Sequence, residues 1–216
     1  MLIVIGKKLW SQKPFRLFAS FWLVSAVINV VEFFPLSKGA NEMFTVLYNL
    51  LDVPFILTII YFSTGSPAVR KITRLTVPVL IATGLVNCII RGFEYDSLKF
   101  ILGGELIIVL SIIIGEIILK LQKIKHTRQE RALLLIYAAL LFEYGTYIVI
   151  YIFDYFLPGA SSTTDNFLVY YLSSLVALTV AICGFLTKGL NAPARPANVP
   201  ENTYSKNVPD FVLWEE

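Results

Sequence analysis

Charge is scarce in this sequence. Asp, Glu, Lys and Arg together make up 15% of its 216 residues, against about 25% in a soluble domain. Hydrophobic residues reach 56%, the mean hydropathy is +0.72, and several runs approach the roughly 20 apolar residues needed to cross a bilayer. These features exclude an ordinary soluble globule and give the fold class as an all-α integral membrane protein. The net charge of +3 is small and sits in loops, so no nucleic-acid partner is expected; the partner that composition does imply is the lipid bilayer.

Metal-binding and nucleophilic residues are equally sparse. The only histidine is His126, in a basic loop, and the two cysteines, Cys88 and Cys183, fall near opposite ends of the expected spans. A zinc site of His and Cys is therefore not expected, nor is a disulfide. The chain has no Gly-rich phosphate loop, serine nucleophile elbow or CxxC. No metal, cofactor or enzymatic activity is expected. The one catalytic alternative is an acid-only intramembrane hydrolase using Asp52 and Glu143 as a carboxyl pair.

What is present is a series of long apolar segments separated by polar turns. Six spans are expected, at about 15–34, 43–62, 75–90, 100–121, 132–156 and 167–186. They form one bundle over residues 15–189, between an interfacial stretch at 1–14 and a Pro-rich tail at 190–216. The apolar stretch Leu2 to Ile5 is too short for a signal peptide and precedes its lysines. Basic residues set the orientation: all but Lys38, Arg91 and Lys99 of the 18 fall on one side. This puts both termini in the cytoplasm and the bundle in the plasma (cell inner) membrane.

The polar residues inside these spans are the candidate site. A charge at the bilayer centre costs at least about 2.5–3.5 kcal/mol, so such residues normally face the bundle interior and mark function. From the helix rise, Glu32 lies roughly 5 Å, Glu105 about 10 Å, Asp52 about 14 Å and Glu143 about 20 Å below the outer face. Asn29 with Glu32, Asn49 with Asp52, and Asn87 with Arg91 are each spaced to share a helix face, and Tyr147 follows Glu143 by one turn. If these faces converge, they make a ligand pocket for a small solute or cation. Pro54 lies two residues beyond Asp52, and Gly145 two beyond Glu143. That echo between two halves of opposite orientation resembles the inverted repeats of secondary transporters. Glu116 is read as a local ion pair with Lys120.

The alternative is a non-catalytic membrane subunit or sensor module, in which the same polar groups only lock helices together. Its tail or helix faces would then bind a protein partner. Two small-residue strips, Ser173/Ala177/Ala181 and Ser111/Gly115, would let helices approach closely, within one chain or between the copies of a homodimer.

Overall fold

The computed structural model describes residues 1–31, 37–123, 126–157 and 163–190. Among these residues all regular structure is helical. A short helix, α1 (Leu2–Gly6), and a 3₁₀ turn at Leu9–Ser11 lead into α2 (Lys13–Val31), α3 (Lys38–Ser63) and α4 (Pro67–Arg91). A 3₁₀ segment, Tyr95–Phe100, precedes α5 (Leu102–Leu121), α6 (Arg128–Phe156) and α7 (Thr163–Leu186). Five of these, α3 to α7, are long and apolar enough to cross a membrane.

Most helices begin earlier than hydropathy alone suggests, because capping chemistry starts them. The Ser37 side chain accepts from the Ala40 N–H, so α3 starts at Lys38, ahead of the expected position 43. Ser66 accepts from the Val69 N–H with Pro67 at the first helical position, so α4 starts there and not near 75. Arg70, Lys71 and Arg74, expected in a loop, therefore lie on the first turns of α4. Thr127 and Glu130 form a reciprocal capping box that starts α6 at Arg128, ahead of 132. α7 starts at Thr163, ahead of 167, whereas α5 starts at Leu102, after the 3₁₀ segment. The end of the first expected span and the Pro-rich tail lie outside the described residues.

α3 is the central element. It packs against α2, α4, α5 and the 3₁₀ segment, while α6 packs against α5 and α7. Half of α3's most apolar stretch is buried, against 22% for α4. α4 turns outward large side chains such as Leu75, Val79, Leu85 and Ile89, as a lipid-facing helix would. The core is rich in aromatic contacts. Phe15 and Trp22 of α2 meet Phe185 of α7 at ring centroid distances of 6.1 Å. Phe18 meets Tyr137 of α6 edge-on at 5.7 Å.

The strip Ser173, Ala177 and Ala181 is buried within the chain. It continues to Gly184, where a Cβ would stand 2.9 Å from the Ala132 carbonyl oxygen of α6. The small residues thus let α6 and α7 approach closely. Ser111, by contrast, lies on an exposed face of α5. Cys88 is buried, Cys183 is exposed, and neither forms a disulfide.

The two ends of the described chain meet. The Lys7 ammonium donates to the Leu186 carbonyl at 2.7 Å, and the Gln12 amide to the Leu190 carbonyl at 2.8 Å. The start of α2 and the end of α7 therefore lie at the same end of the bundle.

Candidate functional site

The candidate site is built from four helices. Asp52 of α3 is 9% exposed and accepts a hydrogen bond from the Tyr144 hydroxyl of α6 at 2.7 Å. Pro54, two residues on, has no N–H to give the Leu50 carbonyl. Tyr48, one turn before Asp52, brings its hydroxyl beside that carboxylate and within 3.4 Å of the Ser25 hydroxyl of α2.

Glu143, the neighbour of Tyr144 on α6, is 4% exposed. Its Oε1 accepts from Tyr147 at 3.1 Å, while its Oε2 is buried without a hydrogen-bond partner. The Trp22 indole lies near Glu143, yet its Nε1–H is also buried and unpartnered, so the two stand outside bonding geometry. Tyr147 stacks on Tyr170 of α7, with centroids 5.3 Å apart and planes 15° apart. The Tyr170 hydroxyl reaches Asn29 Oδ1 at 3.5 Å.

Asp52 and Glu143 are within electrostatic reach of each other, and Glu105 of α5 is within reach of Asp52. Among the described residues no lysine or arginine forms an ion pair with any of the three. No three His, Cys, Asp or Glu side chains there stand close enough to share a metal ion.

The structure thus brings Asp52, Glu143, Tyr147 and Asn29 to one polar core. It spends other predicted residues differently. The Asn49 amide donates to the Thr45 carbonyl at 2.8 Å, and the Asn29 amide to the Ser25 carbonyl at 3.0 Å. Asn87 donates to the Ser97 carbonyl at 2.9 Å, pinning the 3₁₀ segment to α4. Arg91 is exposed, with its guanidinium 3.8 Å from the Phe100 ring centroid. Glu105 falls in the first turn of α5, about 5 Å along the helix from Leu102, nearer the helix end than expected. Glu32 lies outside the described residues.

Sequence reasoning missed Trp22, Ser25, Tyr48 and Tyr170. A signal for the first three was present. Tyr48 precedes Asp52 by four residues, and Trp22, Ser25 and Asn29 recur at helical spacing on one face of α2.

A second buried cluster lies at the opposite end of α3. The Thr64 hydroxyl donates to Glu116 Oε1, and Lys120 Nζ stands 3.4 Å from Glu116 Oε2. Ser63 and Tyr137 share a hydrogen bond of 2.7 Å, and the Lys120 ammonium lies 5.4 Å from the Tyr137 ring centroid. Here the carboxylate has its own cation.

No protein family, curated protein or solved structure matches the chain.

Proposed function

We propose that this protein binds a small cation or cationic solute at the Asp52–Glu143 cluster and carries it across the membrane. The observation that carries this reading is an acid cluster with no compensating base among the described residues. Asp52 and Glu143 are buried within electrostatic reach of each other, with Tyr144 and Tyr147 as their hydrogen-bond donors, and Glu143 Oε2 has no partner. Uncompensated carboxylates are expensive at this depth, so protons or a bound cation must neutralise them. Aromatic faces add cation–π attraction, worth about 2 kcal/mol or more where desolvated.

The topology proposed with it has six crossings, α2 to α7, with both ends in the cytoplasm and the bundle in the plasma (cell inner) membrane. What supports α2 as the sixth crossing is its aromatic packing against α6 and α7. The shared location of the start of α2 and the end of α7 also calls for an even number of crossings. The distribution of basic residues supports the orientation.

A second reading keeps the same fold as a non-catalytic subunit or sensor module. It is favoured by the Tyr144–Asp52 hydrogen bond, which ties α6 to α3 as interhelical scaffolding would. Its partner, a second copy or another protein, would dock on the face carrying Ser111.

The test is thermal unfolding of the purified full chain in detergent against monovalent and divalent cations and small amines, with wild type and Asp52→Asn side by side. A ligand that binds only the folded state raises the melting temperature. The transport reading expects a cation that stabilises wild type and not Asp52→Asn. A mutant that is merely less stable, with no cation effect on either protein, would leave the subunit reading.

A further inference from the structure

A groove of about 570 Å³ runs between α4 and α5, away from the aromatic cluster. Its walls are apolar, formed by residues such as Leu80, Val86, Ile90, Phe100 and Ile108. Its polar lining consists of Thr83, Asn87 and Glu105. Glu105 is 1% exposed, and both of its carboxylate oxygens are buried without a hydrogen-bond partner.

The other two polar side chains are tied to the backbone, Asn87 through one of its two amide hydrogens. The Asn87 amide donates to the Ser97 carbonyl. The Thr83 hydroxyl donates to the Val79 and Leu80 carbonyls at 2.9 and 3.0 Å. What the groove can still offer is mostly lone pairs, from the Glu105 carboxylate, the Asn87 carbonyl oxygen and the Thr83 oxygen, beside one remaining Asn87 N–H. Arg91, at the end of α4, stacks on Phe100 and forms no ion pair with Glu105.

We propose that the α4–α5 groove binds an amphipathic ammonium, a positively charged N–H donor group carried on an apolar body, with the nitrogen at Glu105. A lining richer in acceptors than in donors asks for a group with several donors, and a buried carboxylate asks for a cation. The apolar walls ask for a hydrocarbon body. A quaternary ammonium carries the charge but lacks the N–H donors. The exposed apolar faces of α4 place the groove where a ligand can arrive from the lipid phase. The ammonium can belong to a free hydrophobic amine or to the ethanolamine headgroup of a membrane lipid. The proposal does not rest on the Asp52–Glu143 reading, although Glu105 lies within electrostatic reach of Asp52.

The test uses the full chain and n-octylamine, with 1-octanol and octyltrimethylammonium as matched controls, read as shifts in melting temperature. Octylamine is expected to give a saturable upward shift, with each control giving less than a third of it. Glu105→Gln, which keeps the shape and removes the charge, is expected to lose the octylamine shift. Gly104→Leu supplies a second variant: Gly104 lines the groove, and a Cβ there meets nothing within 4 Å. It fills the groove with Glu105 intact and is expected to lose the shift too. Asp52→Asn is expected to retain it. Reconstitution in phosphatidylethanolamine and in phosphatidylcholine vesicles separates the sources. Stabilisation by the former, with competition by octylamine, assigns the lipid headgroup; equal stability in both assigns a free amine. Equal shifts from octanol and octylamine, or an octylamine shift that survives in both Glu105→Gln and Gly104→Leu, would overturn the proposal.

Discussion

The bundle buries carboxylates in two places and treats them in opposite ways. At one end of α3, Glu116 has a lysine 3.4 Å away and a threonine hydroxyl on its other oxygen. Toward the other end, Asp52, Glu105 and Glu143 stand within electrostatic reach in a chain. Their hydrogen bonds come from tyrosine hydroxyls, and three oxygens have no partner. The first arrangement is what helix-locking looks like: charge answered by charge, and donor by acceptor. The second is left open, with acceptors in excess and no cation of its own among the described residues. The same fold thus contains its own control for what a structural carboxylate requires.

The largest effect expected from breaking this contrast is at Lys120. Lys120→Met strands Glu116 as an unpaired buried charge, and breaking such a pair costs about 3–5 kcal/mol. The double variant with Glu116→Gln is expected to recover most of that loss, as measured by unfolding in mixed micelles. A Lys120→Met loss no greater than that of an exposed lysine would dissolve the distinction between the two clusters. Tyr144→Phe comes next. It removes the donor to Asp52 across the α3–α6 contact and is expected to cost about 1–3 kcal/mol. Tyr147→Phe is expected to cost less, since its bond to Glu143 is longer, at 3.1 Å against 2.7 Å.

How far the sequence reaches can be judged at the same residues. The Glu116–Lys120 pair is local, one helical turn apart, and spacing alone finds it. The depths of Asp52 and Glu143 follow from counting residues along apolar runs. Their neighbours are harder to find, because partner choice across helices depends on how each helix is rotated. Spans that are apolar on nearly every side carry little amphipathic signal to set that rotation. Asn29 and Asn49 show the consequence. Each was placed in the pocket by its spacing to an acid, yet its amide found the carbonyl four residues back, a partner that any helix supplies. Arg91 shares a helix face with Asn87 by spacing, but it is exposed and lies against Phe100. The early helix starts had visible signals in Ser37, Ser66 and the Thr127/Glu130 box. Hydropathy hides them because it ends a span where charge begins, whereas a helix can run on past the apolar core with its long basic side chains reaching water.

The smallest stability change is expected where the functional reading is strongest. Asp52→Asn removes a carboxylate that no cation balances while keeping an acceptor for the Tyr144 hydroxyl. Its loss is expected to stay within about 1 kcal/mol, against the several that a broken ion pair costs. Glu143→Gln should behave alike, because the amide oxygen still accepts from Tyr147. Both variants should nevertheless lose any cation-induced rise in melting temperature. Small stability cost together with lost ligand response separates a binding acid from a scaffolding one. If Asp52→Asn instead unfolds as readily as Lys120→Met, the two clusters are equivalent. The Asp52–Tyr144 bond is then an α3–α6 fastener like the one between Glu116 and Thr64.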